Sequence, residues 1–166
     1  MGVFKRRARQ RESTVTLYFA TDIHGSDVCW RKFVAAGSFY GADVLVLGGD
    51  FTGKLVIPII RAGAGRFRAR FLGKEHHLEA DDLTGFERRV SDSGFYPIEM
   101  DPEEFGEVER EPQRIDALFE RLMVERLTRW IRHAEEKLAG TGVRILTAPA
   151  NDDPYYIDDV IAELGG

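Results

Sequence analysis

The fold is decided by a short apolar run that ends in two glycines and an acid, VLVLGGD at residues 44–50. An unbroken run of valine and leucine is typical of a strand buried on both faces, as in a parallel sheet. A similar run, VTLYFA at 15–20, leads into a polar turn, TDIHG at 21–25, and a third, VRILT at 143–147, precedes a polar turn at 151–153. We therefore expect three parallel strands, with the strand at 15–20 as an inner one.

Amphipathic segments alternate with these strands. Ser26 is the expected N-cap of a helix that runs to about Ala36. The inner face of this helix is expected to carry Val28, Cys29, Phe33 and Ala36. A long helix follows Pro112, and a last one begins at Pro154 with Asp153 as its N-cap. Strands that alternate with helices predict an α/β fold with a parallel-sheet core.

Residues from about 52 to 111 do not follow this alternation and are predicted to be an insertion. Two apolar runs at 55–60 and 67–72, separated by a glycine-rich segment at 61–65, indicate a β-hairpin. The acid-rich stretch at 99–111 is typical of a solvated connector. The second arm of the hairpin alternates apolar residues with Arg66, Arg68 and Arg70.

Length and composition limit the classes of protein that fit. With 166 residues, 43% of them hydrophobic, we expect one domain at 15–166 behind a basic tail at 1–14. The net charge of −5 argues against a general nucleic-acid coat protein. Contact with nucleic-acid or membrane phosphates is the alternative interpretation of the tail. One cysteine, no apolar leader and no apolar run near 20 residues predict a soluble cytoplasmic protein without a membrane partner.

The polar turns carry the residues with chemical potential. Asp22 and His24 are two residues apart, so that in an extended turn both side chains point to the same side and can share a metal ion. Asp50 follows two glycines, whose small size allows a sharp turn and the close approach of a metal or phosphate. Its two oxygens can bridge two cations, and Asn151 offers an amide oxygen to the second. Manganese, iron and zinc accept such ligands.

Each of these residues alone is more commonly a cap or a turn former. Their joint placement at three strand ends favours a metal centre, because the carboxyl ends of parallel strands meet at one edge of a sheet. Lys54 is a candidate for neutralising a substrate phosphate, with a solvated lysine as the alternative. His76 and His77 are expected to be surface residues rather than substitute ligands, and His133 a packing residue.

At these positions the sequence resembles the calcineurin-like metallophosphoesterase family. TDIHG at 21–25 and LGGD at 47–50 match the family's D-x-H and G-D motifs, and ANDD at 150–153 keeps the asparagine of its G-N-H-D/E motif. The resemblance implies a two-metal centre containing manganese, iron or zinc that hydrolyses a phosphoester of a small molecule or nucleotide.

The same resemblance implies a role for each matched residue. Asp22 and His24 would anchor the first ion, Asp50 would bridge the two ions, and Asn151 would bind the second. Asp152 occupies the position of the family's histidine, a proton donor or transition-state contact, and is the candidate catalytic residue.

The family's lone histidine and G-H-x-H motifs have no counterpart after Asn151. The resemblance therefore covers an N-terminal half and implies the parallel-sheet core of an incomplete metallophosphoesterase-like sandwich. We expect a truncated chain or one completed from elsewhere, and a homo-oligomer that covers the open sheet. The alternative function is a non-catalytic module that binds a partner or polyanion through Arg66, Arg68 and Arg70.

Overall fold

Strands and helices alternate along the chain in the computed structural model, which describes residues 14–164. The predicted basic tail at 1–14 lies outside these residues except for Thr14. In chain order the elements are β1 (Leu17–Ala20), α1 (Asp27–Tyr40), β2 (Val44–Leu47), β3 (Val56–Arg61), β4 (Arg66–Phe71), β5 (Lys74–Glu79), α2 (Ala80–Asp92), β6 (Tyr96–Met100), α3 (Pro102–Arg110), α4 (Pro112–Leu138), β7 (Arg144–Thr147) and α5 (Ile157–Leu164).

The first sheet is parallel and has three strands, in the order β1-β2-β7. Ala20 lies beside Leu47, and Leu47 beside Thr147, so the three strands end at the same edge. The parallel α/β core is therefore confirmed. The prediction that β1 is an inner strand is wrong, because β2 is the central strand and β1 is an outer one.

One face of this sheet packs against α1, α4 and α5. Leu45 and Leu47 of β2 point to this side and are almost completely buried. They lie in one core with Trp30 of α1 and Trp130 of α4, whose indole rings stack with centroids 4.9 Å apart. Ile157 of α5 completes the core, so the last helix packs inward as predicted.

The start of α1 is as predicted, its end is not, and its buried face is confirmed in part, since Phe33 and Ala36 are buried. The Ser26 hydroxyl accepts the N–H of Cys29 over 3.3 Å and caps the helix. The helix continues past Ala36 to Tyr40. Cys29 is wrongly predicted, because it is exposed, and the buried face is centred on Phe33 and includes Trp30 and Val34 in its place.

The other face of the first sheet is open in the part of the chain that the structure describes. Phe19, Val46 and Leu146 are neighbours across the three strands on this side. Leu17 lies two residues before Phe19 and points the same way. Leu17, Phe19 and Leu146 are 57%, 59% and 55% exposed. An exposed apolar face was expected here, and the homo-oligomer that would cover it stays a prediction.

The insertion contains a second, mixed sheet with its own core. Its strand order is β5-β4-β3-β6; β3 pairs with β6 in parallel, and the other two pairs are antiparallel. β3 and β4 are the predicted hairpin. The helix α2 covers one face through Phe86 and Val90, which pack on Ile59 and Phe71. The insertion is thus a folded α/β layer and not only a hairpin.

The acid-rich stretch at 99–111 is not a connector. It completes β6 and forms α3, so that prediction is wrong. Pro102 occupies the first turn of the helix, where its missing N–H costs nothing, and Glu104 accepts the N–H of Asp101 over 2.8 Å. Acids suit a helix start because they face the positive end of the helix dipole. No side chain of α3 is buried, so the segment is solvated but helical.

The long helix α4 joins the two sheets. Leu127, Trp130 and Ala134 lie in the core of the first sheet. Nearer its start, the ring of Phe119 meets Tyr96 of β6 edge-on at 5.4 Å. Within residues 14–164, neither α4 nor any other helix combines the length and apolar character needed to span a membrane.

Candidate metal centre

Three of the predicted ligands meet at the carboxyl edge of the first sheet. Asp22 and His24 follow β1, and Asp50 follows β2. One ligand atom from each residue lies within 4.8 Å of the other two. Asp22 Oδ1 is 3.8 Å from His24 Nε2. The cluster forms because β1 and β2 are adjacent and parallel, which brings their following loops to the same edge.

All three residues have a left-handed backbone. The φ angles of Asp22, His24 and Asp50 are 55°, 41° and 49°. Among the described residues, only Ala64 and Leu72 share a positive φ without being glycine. This conformation costs a residue with a side chain about 1 kcal/mol, and it persists where the surrounding structure enforces it. Such strain is concentrated at functional sites in proteins.

Backbone hydrogen bonds hold the two ligand-bearing loops together. The N–H of Asp22 donates to Gly49 over 3.2 Å, and the N–H of His24 donates to Asp50 over 2.9 Å. The N–H of Gly25 then donates to Phe51 over 2.9 Å. These bonds continue the pairing of β1 and β2 beyond the strand ends, so the ligands are fixed by their own main chains.

Neighbouring protein atoms lie close to both glycines before Asp50, and at Gly49 they leave no room for a side chain. Gly49 has a φ of 99°, as a sharp turn requires, and a Cβ there would overlap Ala150. A Cβ on Gly48 would lie 2.6 Å from the ring of Phe19. The predicted sharp turn is confirmed. The space beside the two glycines is occupied by Phe19 and Ala150 and is not open to a ligand.

The insertion forms one wall of the loop that carries His24. Gly94, in the turn between α2 and β6, has a φ of 87°, and a Cβ there would overlap the carbonyl oxygen of His24. Gly25 and Gly53 meet equally closely, since a Cβ on Gly25 would lie 2.5 Å from the Gly53 Cα. No sequence motif indicated this contact of three backbone segments.

Arg126 of α4 supports the same loop and is only 3% exposed. Its guanidinium donates to the carbonyl oxygens of Gly25, over 2.6 Å, and Phe95, over 2.8 Å, and lies 4.1 Å from the ring centre of Tyr96. Burial lowers the pKa of Arg126, and the nearby Asp27 carboxylate opposes that effect. An arginine keeps its charge under these conditions. It therefore acts as a fixed donor between the insertion and the first loop.

The loop after β7 brings Asn151 and Asp152 beside Asp50. The N–H of Asp152 donates to Asp50 Oδ1 over 3.1 Å. The side-chain amide of Asn151 donates to Asp152 Oδ1 over 2.9 Å. Both residues are exposed. The predicted metal role of Asn151 and the predicted catalytic role of Asp152 stay predictions.

Asp153 is not the N-cap of the last helix. That helix, α5, begins at Ile157 and not at Pro154. The Asp153 carboxylate is 8% exposed and turns inward to accept the backbone N–H groups of Phe51 and Thr52, over 3.1 and 2.9 Å. The N–H groups of Phe51 and Thr52 are buried and need a hydrogen-bond acceptor. Nothing in the sequence around Asp153 indicates that Asp153 is that acceptor.

The other candidate residues lie on other segments of the chain. Lys54 is exposed in the segment that leads from Asp50 to β3. His76 and His77 are neighbours on β5 and point to opposite faces, as predicted for adjacent residues. The ring of His76 packs on Phe86 with centroids 5.0 Å apart, and His77 is exposed. Neither histidine belongs to the ligand cluster, and His133 lies half-buried on α4.

The arginine-bearing face of the hairpin has mixed charge. Arg66, Arg68 and Arg70 are exposed on β4. The register places Glu79 directly opposite Arg66, and Glu75 directly opposite Arg70. Residues opposite each other on an antiparallel pair share a face, so acids partly neutralise the arginines. This arrangement weakens the case for a polyanion-binding surface.

The donor set of the cluster fits a divalent cation. Two carboxylates and one imidazole are ligands that manganese, iron and zinc accept. Asp22 is exposed and His24 and Asp50 are half-buried, so water or a substrate could complete the coordination.

Comparison of the chain with protein-family models gave no match, and neither curated proteins nor solved structures gave one. The chemistry of Asp22, His24 and Asp50 is therefore the basis for assigning a function.

Proposed function

We propose that Asp22, His24 and Asp50 hold a divalent metal ion and that the protein is a metal-dependent phosphoesterase related to the calcineurin-like metallophosphoesterases. The observation that supports this proposal is the convergence of the three side chains from two adjacent strand ends. The order of the D-x-H and G-D motifs along the chain supports it further. The expected sandwich, of which the first sheet would be one half, belongs to the same proposal.

The chemistry follows from the donor set. When bound, manganese, iron or zinc would neutralise charge on the phosphoryl oxygens. The ion would also lower the pKa of a bound water molecule to near neutral. In the two-ion form of the proposal, both ions would share Asp50, and Asn151 would hold the second one. The N–H of Asp152 donates to Asp50 Oδ1 and so restrains the orientation of this carboxylate.

The remaining residues act on the substrate, a phosphoester of a small molecule or nucleotide. Lys54, exposed four residues after Asp50, neutralises the charge of the phosphate. Asp152 is the candidate catalytic residue: its carboxylate, which accepts a hydrogen bond from the Asn151 amide, would take up a proton from the attacking water and pass it to the leaving oxygen. Solvent exposure of Asp152 and Lys54 allows a substrate to reach both.

The test compares the wild type with Asp50→Asn and a matched control, Asp43→Asn. Asp43 is an aspartate at the opposite edge of the same sheet, where its Oδ2 accepts the N–H of Thr16 over 2.7 Å. Calorimetry with Mn²⁺ should give binding for the wild type and Asp43→Asn, and at least about tenfold weaker binding for Asp50→Asn. Hydrolysis of bis-p-nitrophenyl phosphate should be slow, since the family's later histidine motifs have no counterpart here, and it should need Mn²⁺ and stop with a chelator.

Equal binding heats for the wild type and Asp50→Asn would refute the metal site. Metal binding without turnover would instead favour the alternative, a non-catalytic module. In that case, binding of a polyanion such as heparin should weaken on Arg68→Gln.

A further inference from the structure

The Asp153 carboxylate lies where the loops after β2 and β7 meet. Its Oδ1 accepts the N–H of Phe51, over 3.1 Å, and both the N–H and the hydroxyl of Thr52, each over 2.9 Å. Its Oδ2 accepts the N–H of Ala150 over 3.1 Å. Four donors thus satisfy both oxygens of a buried carboxylate, which makes these charge-assisted bonds strong and specific.

One of these bonds acts directly on Asp50. The N–H of Phe51 belongs to the same peptide group as the carbonyl of Asp50. Asp153 holds the N–H side of this group, and the N–H of His24 holds the carbonyl side over 2.9 Å. A peptide group held on both sides cannot rotate. Its orientation fixes ψ of Asp50, whose φ of 49° is already strained.

The Asp153 carboxylate also fixes the turn that touches the Asp50 side chain. It holds the N–H of Ala150, and two residues later the N–H of Asp152 donates to Asp50 Oδ1. The main chain of Asp50 is therefore held by Asp153 itself, and its side chain is held by the turn that Asp153 closes.

We infer that Asp153 is a positioning residue for the metal centre: it holds Asp50 in its left-handed conformation and its carboxylate in the ligand position. This inference rests on the proposed function. Without the Asp153 carboxylate, the peptide group after Asp50 rotates toward an ordinary conformation, and the carboxylate leaves the cluster. Asp153 itself makes no contact with the metal or the substrate.

The experiment uses Co²⁺ as the probe, with the full chain as wild type, Asp153→Ala, Asp153→Asn, Asp50→Asn and Asp43→Ala. Binding is followed by the visible absorption of Co²⁺, whose spectrum reports ligand geometry in the folded protein and does not respond to a loss of stability. All titrations are made at a temperature where circular dichroism shows each variant to be folded. Asp43→Ala removes a carboxylate that accepts a backbone N–H at the opposite end of the strands of the first sheet. This variant serves as the stability control.

Asp153→Ala should bind Co²⁺ at least about tenfold more weakly and with an altered spectrum. Asp153→Asn should lie between it and the wild type, because an amide oxygen can still accept from Phe51 and Thr52 but the amide NH₂ faces the N–H of Ala150. Asp43→Ala should keep the wild-type affinity and spectrum. If Asp153→Ala does not fold, Asp153→Asn carries the test, with Thr52→Val, which removes one donor, expected to show a smaller change of the same sign.

Wild-type affinity and spectrum in the folded Asp153 variants, together with loss of binding in Asp50→Asn, would overturn this inference and leave the metal site standing. Absence of Co²⁺ binding by the wild type would overturn both. If Asp43→Ala weakened Co²⁺ binding as much as Asp153→Ala does, Asp153 would act through stability alone. That result would also overturn the inference.

Discussion

The backbone N–H of His24 donates to the carbonyl oxygen of Asp50 over 2.9 Å. Two candidate ligands are therefore joined through their main chains before any ion binds. Side chains on main-chain segments that are held together in this way need little reordering to coordinate a cation. Preorganisation of this kind favours tight binding.

Gly94→Ala should destabilise the protein and weaken metal binding. The new Cβ would overlap the carbonyl oxygen of His24, so the loop must move. The matched control is Gly73→Ala, since Gly73 has a similar φ of 75° but nothing within 4 Å of the added atom. We expect Gly73→Ala to lose about 1 kcal/mol from backbone strain, and Gly94→Ala to lose about 2 kcal/mol more. Urea unfolding and Mn²⁺ calorimetry measure both effects, and equal losses would contradict the contact.

Arg126→Met should cost about 2–4 kcal/mol of folding free energy. It leaves the carbonyl oxygens of Gly25 and Phe95 without their donor in a buried place. Arg129→Met, an exposed change on the same helix, should cost less than about 0.5 kcal/mol. Chemical denaturation distinguishes the two, and a small effect of Arg126→Met would show that water replaces the guanidinium.

Stability should fall at alkaline pH because of Tyr156. Burial, with a smaller effect of the negative charge of Glu120, raises the pKa of Tyr156 to about 12 from an ordinary value of 10.0. The unfolded chain ionises first, so the stability that Tyr156 contributes is complete below pH 10 and is lost as the pH rises toward about 12.

Tyr156→Phe should move the midpoint of alkaline unfolding to higher pH. Its neighbour Tyr155 is fully exposed, so Tyr155→Phe is the control and should leave the midpoint unchanged. Circular dichroism against pH measures the midpoint. The same shift in both variants would exclude burial of Tyr156 as the cause.

The open face of the first sheet should promote self-association. Phe19 of β1 and Leu146 of β7 flank the same residue of β2, and each exposes more than half of its surface. Phe19→Ser and Leu146→Ser should each lower the average mass in solution. Phe39→Ser, a phenylalanine 79% exposed near the end of α1, should not. Sedimentation at several concentrations decides, and a wild type that stays monomeric throughout would refute the prediction.

Local patterns predicted the three strands of the first sheet, although not their order, but only two of the four strands of the second sheet. The runs that form β1 and β2, LYFA and VLVL, are mostly apolar, and Ser26 carries its capping signal in its own side chain. By contrast, β5 reads KEHHLE, which lacks an apolar pattern. It is a strand because it pairs with β4 at the edge of the sheet, where its polar residues face water. A pairing partner is not visible in a local window.

The same distinction separates the parts of the site. Asp22, His24 and Asp50 could be predicted because they stand directly after strands whose direction determines where they meet. Asp153 could not, because its partners Phe51 and Thr52 are 102 and 101 residues away. A local interpretation gave it the ordinary role of an aspartate before a helix, and only the folded chain shows the donors that it serves.

The loop of His24 is closed by partners that are synthesised much later. The Ser26 hydroxyl donates to the carbonyl oxygen of Asp92, 66 residues onward, and Arg126 reaches Gly25 across 101 residues. When β1 and α1 leave the ribosome, neither partner exists. Contacts of such long range form late in folding. A nascent chain that has not yet produced α4 therefore has Asp22, His24 and Asp50 without the contacts that hold the loop of His24, and under the proposed function it would bind a metal ion only after synthesis has passed Arg126.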